Sequence, residues 1–268
     1  MSCGLLAVCL AAASAGAHGD VHGQIEALTR QIASQARNPA LYLHRGELHR
    51  VHGDFDAALK DYAQTSRLDP AMDLDFVVGR ALLEAGRPKD ARPRLDHYAA
   101  RHPADFNVFV VRARTLHALG ARVEALADYD RAVGLDPSPK PDVLLERARL
   151  LVALGRSADA LSGLDAAMGR IGHGPALEHE ALDLEVTLGR FDAALARIDR
   201  LSKGAPRLES WHARRGEVLA AAGRVPQARE AYALALRAIE SLPAERRRAR
   251  ALADLESRVR LALDRIAS

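Results

Sequence analysis

Asp20 and His22 stand two residues apart between Gly19 and Gly23 in the stretch AHGDVHGQ, 17–24. A carboxylate and an imidazole at that separation could ligate one metal ion, and metal-assisted phosphoester hydrolysis uses such groups to hold two ions and activate water. Two ions about 3.5–4 Å apart need about eight ligands, so one such block supplies only part of a site. His18 offers a second metal chemistry. Chain cleavage after Ala15 would leave Gly16-Ala17-His18 at a free terminus, where an amine, two deprotonated amides and an imidazole suit square-planar Cu(II). Cleavage after Ala17 would make His18 terminal, chelating through its amine and ring, with His22 about one turn along. The alternative reading is a polar terminus that runs into a helix capped by Asp20.

The Gly-Asp-Val-His-Gly block resembles the opening ligand block of the calcineurin-like metallophosphoesterases. That family also requires a Gly-Asp-x-x-Asp block, an Asn followed by His, and two further His. The nearest second block, HGDFD at 52–56, is one residue short, and the only two asparagines, Asn38 and Asn107, do not precede a His. The phosphoesterase reading is therefore set aside as coincidence. The remaining histidines are scattered; His49 and His52 share a helical face but lack a third partner. No phosphate-binding glycine loop, Gly-x-Ser-x-Gly elbow or His-Glu-x-x-His is present. Glu178 and Glu180 read as solvated charge on an exposed helix. The sequence points to a non-enzymatic protein without a cofactor.

The elements around these residues are built from small aliphatics: the chain is 49% hydrophobic but only 4% aromatic, which suits close helix-on-helix packing. A net charge of +3 across the chain gives no nucleic-acid signature. Residues 1–17, MSCGLLAVCLAAASAGA, are uncharged, apolar from Leu5 to Ala13, and carry Ala-x-Ala spacing at Ala13/Ala15 and Ala15/Ala17. This reads as a secretory signal peptide lacking the usual basic start, and no transmembrane stretch follows it. Both cysteines, Cys3 and Cys9, lie inside it, so the expected mature chain has no thiol and is exported, periplasmic or secreted.

A repeat organises the rest. Gly53, Gly86, Gly120, Gly155, Gly189 and Gly223 follow one another at 33, 34, 35, 34 and 34 residues. Seven residues before each stands a small residue (Gly46, Gly79, Ala113, Ala148, Gly216), with Leu182 the exception. Five residues after each stands Ala58, Ala91, Ala125, Ala160, Ala194 or Ala228, and Pro70, Pro103, Pro137 and Pro206 close four units. Each unit reads as helix, glycine turn, helix: the glycine supplies a left-handed cap and the proline ends the second helix. The small residue lets the second helix approach, with the spaced alanine as its partner. This pattern resembles the tetratricopeptide repeat over about 39–242.

The expected fold is all-α, a right-handed superhelical solenoid of about six helix-turn-helix units. Its parts are a signal peptide at 1–17, a leading helix at 18–38, repeats at about 39–71, 72–105, 106–140, 141–174, 175–208 and 209–242, and a capping helix at 243–268. Pro93 should bend the second helix of the second unit, and the glycines of MGRIGHGP, 168–175, suggest a hinge between units four and five.

In proteins that this chain resembles, an extended peptide or partner helix lies in the concave groove lined by the first helices. One lining position follows the small residue and another lies four residues earlier. They place Phe76, Val110 and Leu145 as an apolar rail beside Arg80, Arg114 and Arg149, with Glu47, Asp183 and Glu217 at the ends. Such a surface would take a protein or peptide ligand with acidic character. The alternative is that these arginines are solvated surface in an Arg-rich chain. Arg45 and Arg112 read instead as ion-pair partners of Asp61 and Asp128 within their own repeats. The family's carboxylate clamp does not transfer, because the matching places hold Leu43, Glu47 and Val77. The second functional reading is a copper-handling protein using His18 and His22, docked to a client by the repeats.

Overall fold

The structure, a computed structural model, describes residues 16–266, with side chains from residue 21. Residues 1–15, most of the expected signal peptide, lie outside the described residues. The described chain contains no strand and divides into two compact units that meet in sequence at Pro137/Ser138. The hinge expected at Gly169–Gly174 instead falls inside the second unit. There α9 and α10 pack against each other across it: Gly169 continues α9, and Gly172 and Gly174 shape the turn within one packed body.

The first unit holds a leading helix and three hairpins. They are α1 (Gly16–Ser34), α2 (Pro39–His52) with α3 (Phe55–Leu68), α4 (Asp75–Glu84) with α5 (Pro88–Arg101), and α6 (Phe106–Ala118) with α7 (Arg122–Leu135). The second unit holds α8 (Pro141–Ala153) with α9 (Ser157–Ile171), α10 (Pro175–Thr187) with α11 (Phe191–Ser202), and α12 (Glu209–Ala221) with α13 (Val225–Glu240). It ends in the short α14 (Ala244–Arg247) and α15 (Arg250–Arg265).

The six spaced glycines end the first helices with φ between 70° and 86°. That left-handed backbone is strained for any residue with a Cβ. At the first turn the Gly53 N–H donates to Arg50 O at 3.0 Å and Asp54 N–H to His49 O at 2.9 Å, satisfying carbonyls the helix leaves open. Asp54 then caps α3, accepting from Ala57 N–H at 3.1 Å. Pro39, Pro88, Pro141 and Pro175 each sit in a first helical turn, where the missing N–H costs nothing. α5 runs on through Pro93 as one helix from Pro88 to Arg101.

Close approach within a hairpin is achieved differently from the alanine partnership expected. A Cβ on Gly46 would lie 2.7 Å from the Tyr62 ring, one on Gly216 2.5 Å from the Tyr232 ring, and one on Gly79 2.7 Å from Leu95. The side chain four residues beyond the alanine therefore covers the glycine, while the alanine brings its backbone near, with Ala58 O 3.3 Å from the Gly46 position. The six alanines are fully buried. In the first unit Leu95, Val108 and Phe109 centre one core cluster, and α1 closes its start with Leu28 and Ile32 against α2. In the second unit α15 closes the end by burying Leu252, Leu255 and Val259 with Ile198, Val218 and Ile239. An end hairpin otherwise leaves its apolar side in water, which is why such arrays need caps.

Candidate interaction surface

The first helices of neighbouring hairpins touch within each unit, α4 with α6 and α8 with α10, so the side chains on them form a face. In the first unit Arg80 is half-buried and its Nη2 donates to Glu47 at 2.5 Å. Glu47 also accepts from the Tyr62 hydroxyl at 2.5 Å and from Arg50 Nε at 3.4 Å. Arg50 in turn forks onto both oxygens of Glu84 at 2.9 and 2.8 Å, and the Arg80 guanidinium lies 5.3 Å from the Phe76 ring centre. Burial pushes the Glu47 carboxyl up, but the Tyr62 hydroxyl and the Arg80 and Arg50 charges outweigh it and hold the carboxyl below its usual range. Burial, then the bond to Glu47, pushes the Tyr62 phenol up. Arg80 is thus mortar between the first two hairpins. Val110 is half-buried; Arg114 is exposed and has an electrostatic or hydrogen-bond contact of its own.

In the second unit Leu145 is only 9% exposed, so it is core and not part of a surface rail. The residue chosen from one helix's register is covered because neighbouring elements pack over it. Arg149, by contrast, has a 65% exposed side chain and reaches Glu180 at 3.4 Å. Asp183 bonds to Arg214, which also donates to Glu217 at 2.8 Å. Phe76, Arg80, Val110 and Arg114 thus belong to the first unit, Leu145 and Arg149 to the second. Sequence reasoning missed a cavity on the second unit's face. A cavity of about 200 Å³ opens between α10 and α12, bounded by His179, Leu182, Asp183, Ser210, Trp211 and Arg214. The His179 and Trp211 rings stack with centres 5.6 Å apart. The available signal was Trp211 itself, the only tryptophan in the chain.

Ion pairs lock the hairpins. Arg45 forks onto Asp61 at 2.8 and 2.6 Å and reaches Thr29; Arg112 forks onto Asp128 at 2.7 and 2.7 Å and reaches Asp96 at 3.3 Å. These are the pairs the sequence suggested. Two other hairpins use the same lock with its charges reversed. Arg94, at the place of Asp61, meets Asp75 at 3.0 Å. Arg197, at the same place in α11, donates to Glu178 at 2.5 Å, to Glu185 at 2.9 and 2.8 Å, and to Asp165 at 2.9 Å. Glu178 is 1% exposed, so the expectation of a solvated carboxylate was wrong: α11 covers it. Burial raises the Glu178 pKa, but bonds from Arg197 and His173 prevail and hold it below the usual range.

The metal readings gain no geometry. The side chains of His18 and Asp20 lie outside the described residues, and His22 is exposed, 3.3 Å from Glu26. Among the described residues no group of three or more His, Cys, Asp or Glu side chains is arranged to hold a metal ion. Nor, among them, is any helix long and apolar enough to cross a membrane.

No curated protein matches this sequence. Solved structures do match its fold. A tetratricopeptide repeat protein from Parabacteroides merdae is 16% identical with a TM-score of 0.54, covering 90% of this chain and 93% of that one. MamA from Desulfovibrio magneticus is 18% identical with a TM-score of 0.52, covering 56% of this chain and 85% of that one. Yeast Tom70 is 17% identical with a TM-score of 0.53, over 81% of this chain and 46% of that one. The family model described as tetratricopeptide repeat matches residues 78–138 and 180–243, each holding successive glycine-turned hairpins. These two stretches are tetratricopeptide repeats, and the chain has the fold of the tetratricopeptide-repeat structure it matches.

Proposed function

We propose that this protein is an interaction scaffold that holds a segment of another protein on the face made by its first helices. Tetratricopeptide repeats are in general non-enzymatic scaffolds, and the fold implies protein partners. The supporting observation is that charged side chains of the first helices join one hairpin to the next within each unit, Glu47–Arg80 in the first and Arg149–Glu180 and Asp183–Arg214 in the second. The two pairs of the second unit each have a largely exposed member, Arg149 or Asp183. Such pairs are worth little by themselves, so a partner's charges can replace one member at small cost. Arg114 in the first unit and Arg149 in the second are exposed, and each would receive a partner's carboxylate, Arg's planar fork fixing its geometry. Arg80, held by Glu47 and Tyr62, contributes position.

The apolar, uncharged 1–17 segment supports export to the bacterial envelope or beyond it. Cell fractionation and N-terminal sequencing of the mature protein test that part separately; a cytoplasmic protein retaining Met1 would remove it.

The scaffold reading is tested by cross-linking pull-down from the envelope fraction, comparing the wild type with a folded Arg114→Glu/Arg149→Glu variant. A partner recovered by the wild type and lost by the variant, and which then binds the purified wild type directly, supports the reading. Equal recovery by both removes the arginines from the binding site.

A further inference from the structure

The walls of the cavity between α10 and α12 are the Trp211 indole and the His179 imidazole, and Leu182, 1% exposed, is its floor. Whole small-molecule ligands occupy pockets of about 300–1,000 Å³. At about 200 Å³ this one is sized for a single large side chain. Its charged lining residues are Asp183 and Arg214, and Arg214 binds both Asp183 and, behind it, Glu217. Two carboxylates thus share the one guanidinium there, and the Asp183 side chain is 66% exposed. The rim's complement is therefore a positive charge beside an apolar group.

We propose that this cavity binds one bulky apolar side chain of leucine, methionine or phenylalanine size from an extended protein segment. A lysine or arginine close to it on the same segment meets Asp183. This deepens the scaffold reading and rests on it. An aromatic wall gives a large contact area at low entropy cost, and tryptophan pockets of this kind dominate binding where they occur. On the second unit the partner segment is thus read by two devices of different chemistry: a carboxylate by Arg149, and an apolar-basic pair by the Trp211 cavity.

Trp211 is the only tryptophan, so its emission reports binding beside it. It also borders a second cavity of about 260 Å³ with Ile198, Asp199 and His212, and Ser210 borders only the first, so Ser210→Gln assigns the signal. A random dodecapeptide phage library is selected on the full chain, and the enriched peptides are synthesised and titrated. The expected peptides carry a bulky apolar residue with a nearby Lys or Arg and change Trp211 emission saturably. They weaken at least ~10-fold on Ser210→Gln and on Trp211→Ala. Ser210 is exposed, so Ser210→Gln obstructs the cavity mouth without touching the core, and its thermal melt should match the wild type. Peptides that bind Ser210→Gln unchanged without altering Trp211 emission, but are lost on Arg114→Glu/Arg149→Glu, overturn the cavity and leave the scaffold standing. Enrichment of basic peptides lacking an apolar residue overturns the occupant. No enriched peptide, or equal binding to all variants, overturns both.

Discussion

Arg45 in the first unit and Arg197 in the second join the helices of a hairpin by opposite routes. Arg45 projects from the first helix to one aspartate on the second, with its side chain 19% exposed. Arg197 projects from the second helix to Glu178 and Glu185 on the first, with Asp165 added from the preceding hairpin, and is 6% exposed. A guanidinium has five N–H donors. Near the edge Arg45 can spend its spare donors on Thr29 and water, whereas a buried guanidinium must find an acceptor for nearly all of them. Three carboxylates around one Arg would repel one another, and Arg200 at 3.7 Å and His173 at 2.7 Å from Glu178 offset this. The α10–α11 hairpin is also the one with Leu182 where the others have Gly or Ala. A ring cannot settle onto that position as Tyr62 does onto Gly46, and the ionic knot joins the two helices instead.

The sharpest test of this contrast is Arg197→Met. Removing the only cation wholly inside the knot strands Glu178 and Glu185, and should cost about 3–5 kcal/mol in urea unfolding. Arg45→Met leaves a single aspartate close to solvent and should cost about 1–3 kcal/mol. Equal losses would mean that the two locks do not differ. Adding Glu178→Gln and Glu185→Gln to Arg197→Met should restore part of the loss, since the stranded charges are then gone.

Gly216→Ala comes next. Its Cβ would meet the Tyr232 ring at 2.5 Å, and overpacking of this kind costs about 1–3 kcal/mol. The conservative Ala148→Gly in α8, where an alanine is already accommodated at 1% exposure, should cost only about 1 kcal/mol. A melt of Gly216→Ala unchanged from the wild type would break the ring-on-glycine account.

Acid should separate the locks further. The Glu178 carboxyl is held below its ordinary value in the fold. Its contribution is therefore present above that ordinary value and lost as pH falls from there through the lowered one. Urea midpoints taken from about pH 6 down to about pH 2 should fall in the wild type. They should fall less steeply in Glu178→Gln, the residual slope belonging to Glu47 and Asp73, which are lowered as well. A slope unaffected by Glu178→Gln would contradict the knot's electrostatics. The smallest effect is expected at Arg87–Asp90, a pair whose side chains are 51% and 54% exposed: Arg87→Ala should stay within about 0.5 kcal/mol of the wild type.

Much of the fold was legible because it is written in local requirements. A glycine every 33–35 residues announces a left-handed turn that only the backbone at that residue decides. Prolines at helix starts and Asn38, Asp54 and Asp105 as caps act within a few residues of themselves. The Arg45–Asp61 and Arg112–Asp128 pairs were legible too, since the same residues recur at the same places in two repeats. The reversed lock had a signal that went unread: Arg94 and Arg197 occupy the place of Asp61, each opposed by an acid, Asp75 or Glu178, four residues before the small-residue position.

The interaction face was less legible. A register argument assigns a residue to one side of its own helix, but the neighbouring elements decide whether that side meets water. Leu145 was placed on the face and is core, whereas Arg80 is held between hairpins by a carboxylate 33 residues away. The cavity at Trp211 requires α10 and α12 side by side, contributing His179 and Asp183 from one and Ser210 and Arg214 from the other. Sequence by itself determined the helical hairpins and their turns, because φ/ψ preference, capping and close-packing glycines act at short range. Tertiary structure alone decided which charges are buried and paired, and where the face opens into a cavity. Burial and Coulomb energy depend on distances between residues that the chain brings together only when the hairpins pack.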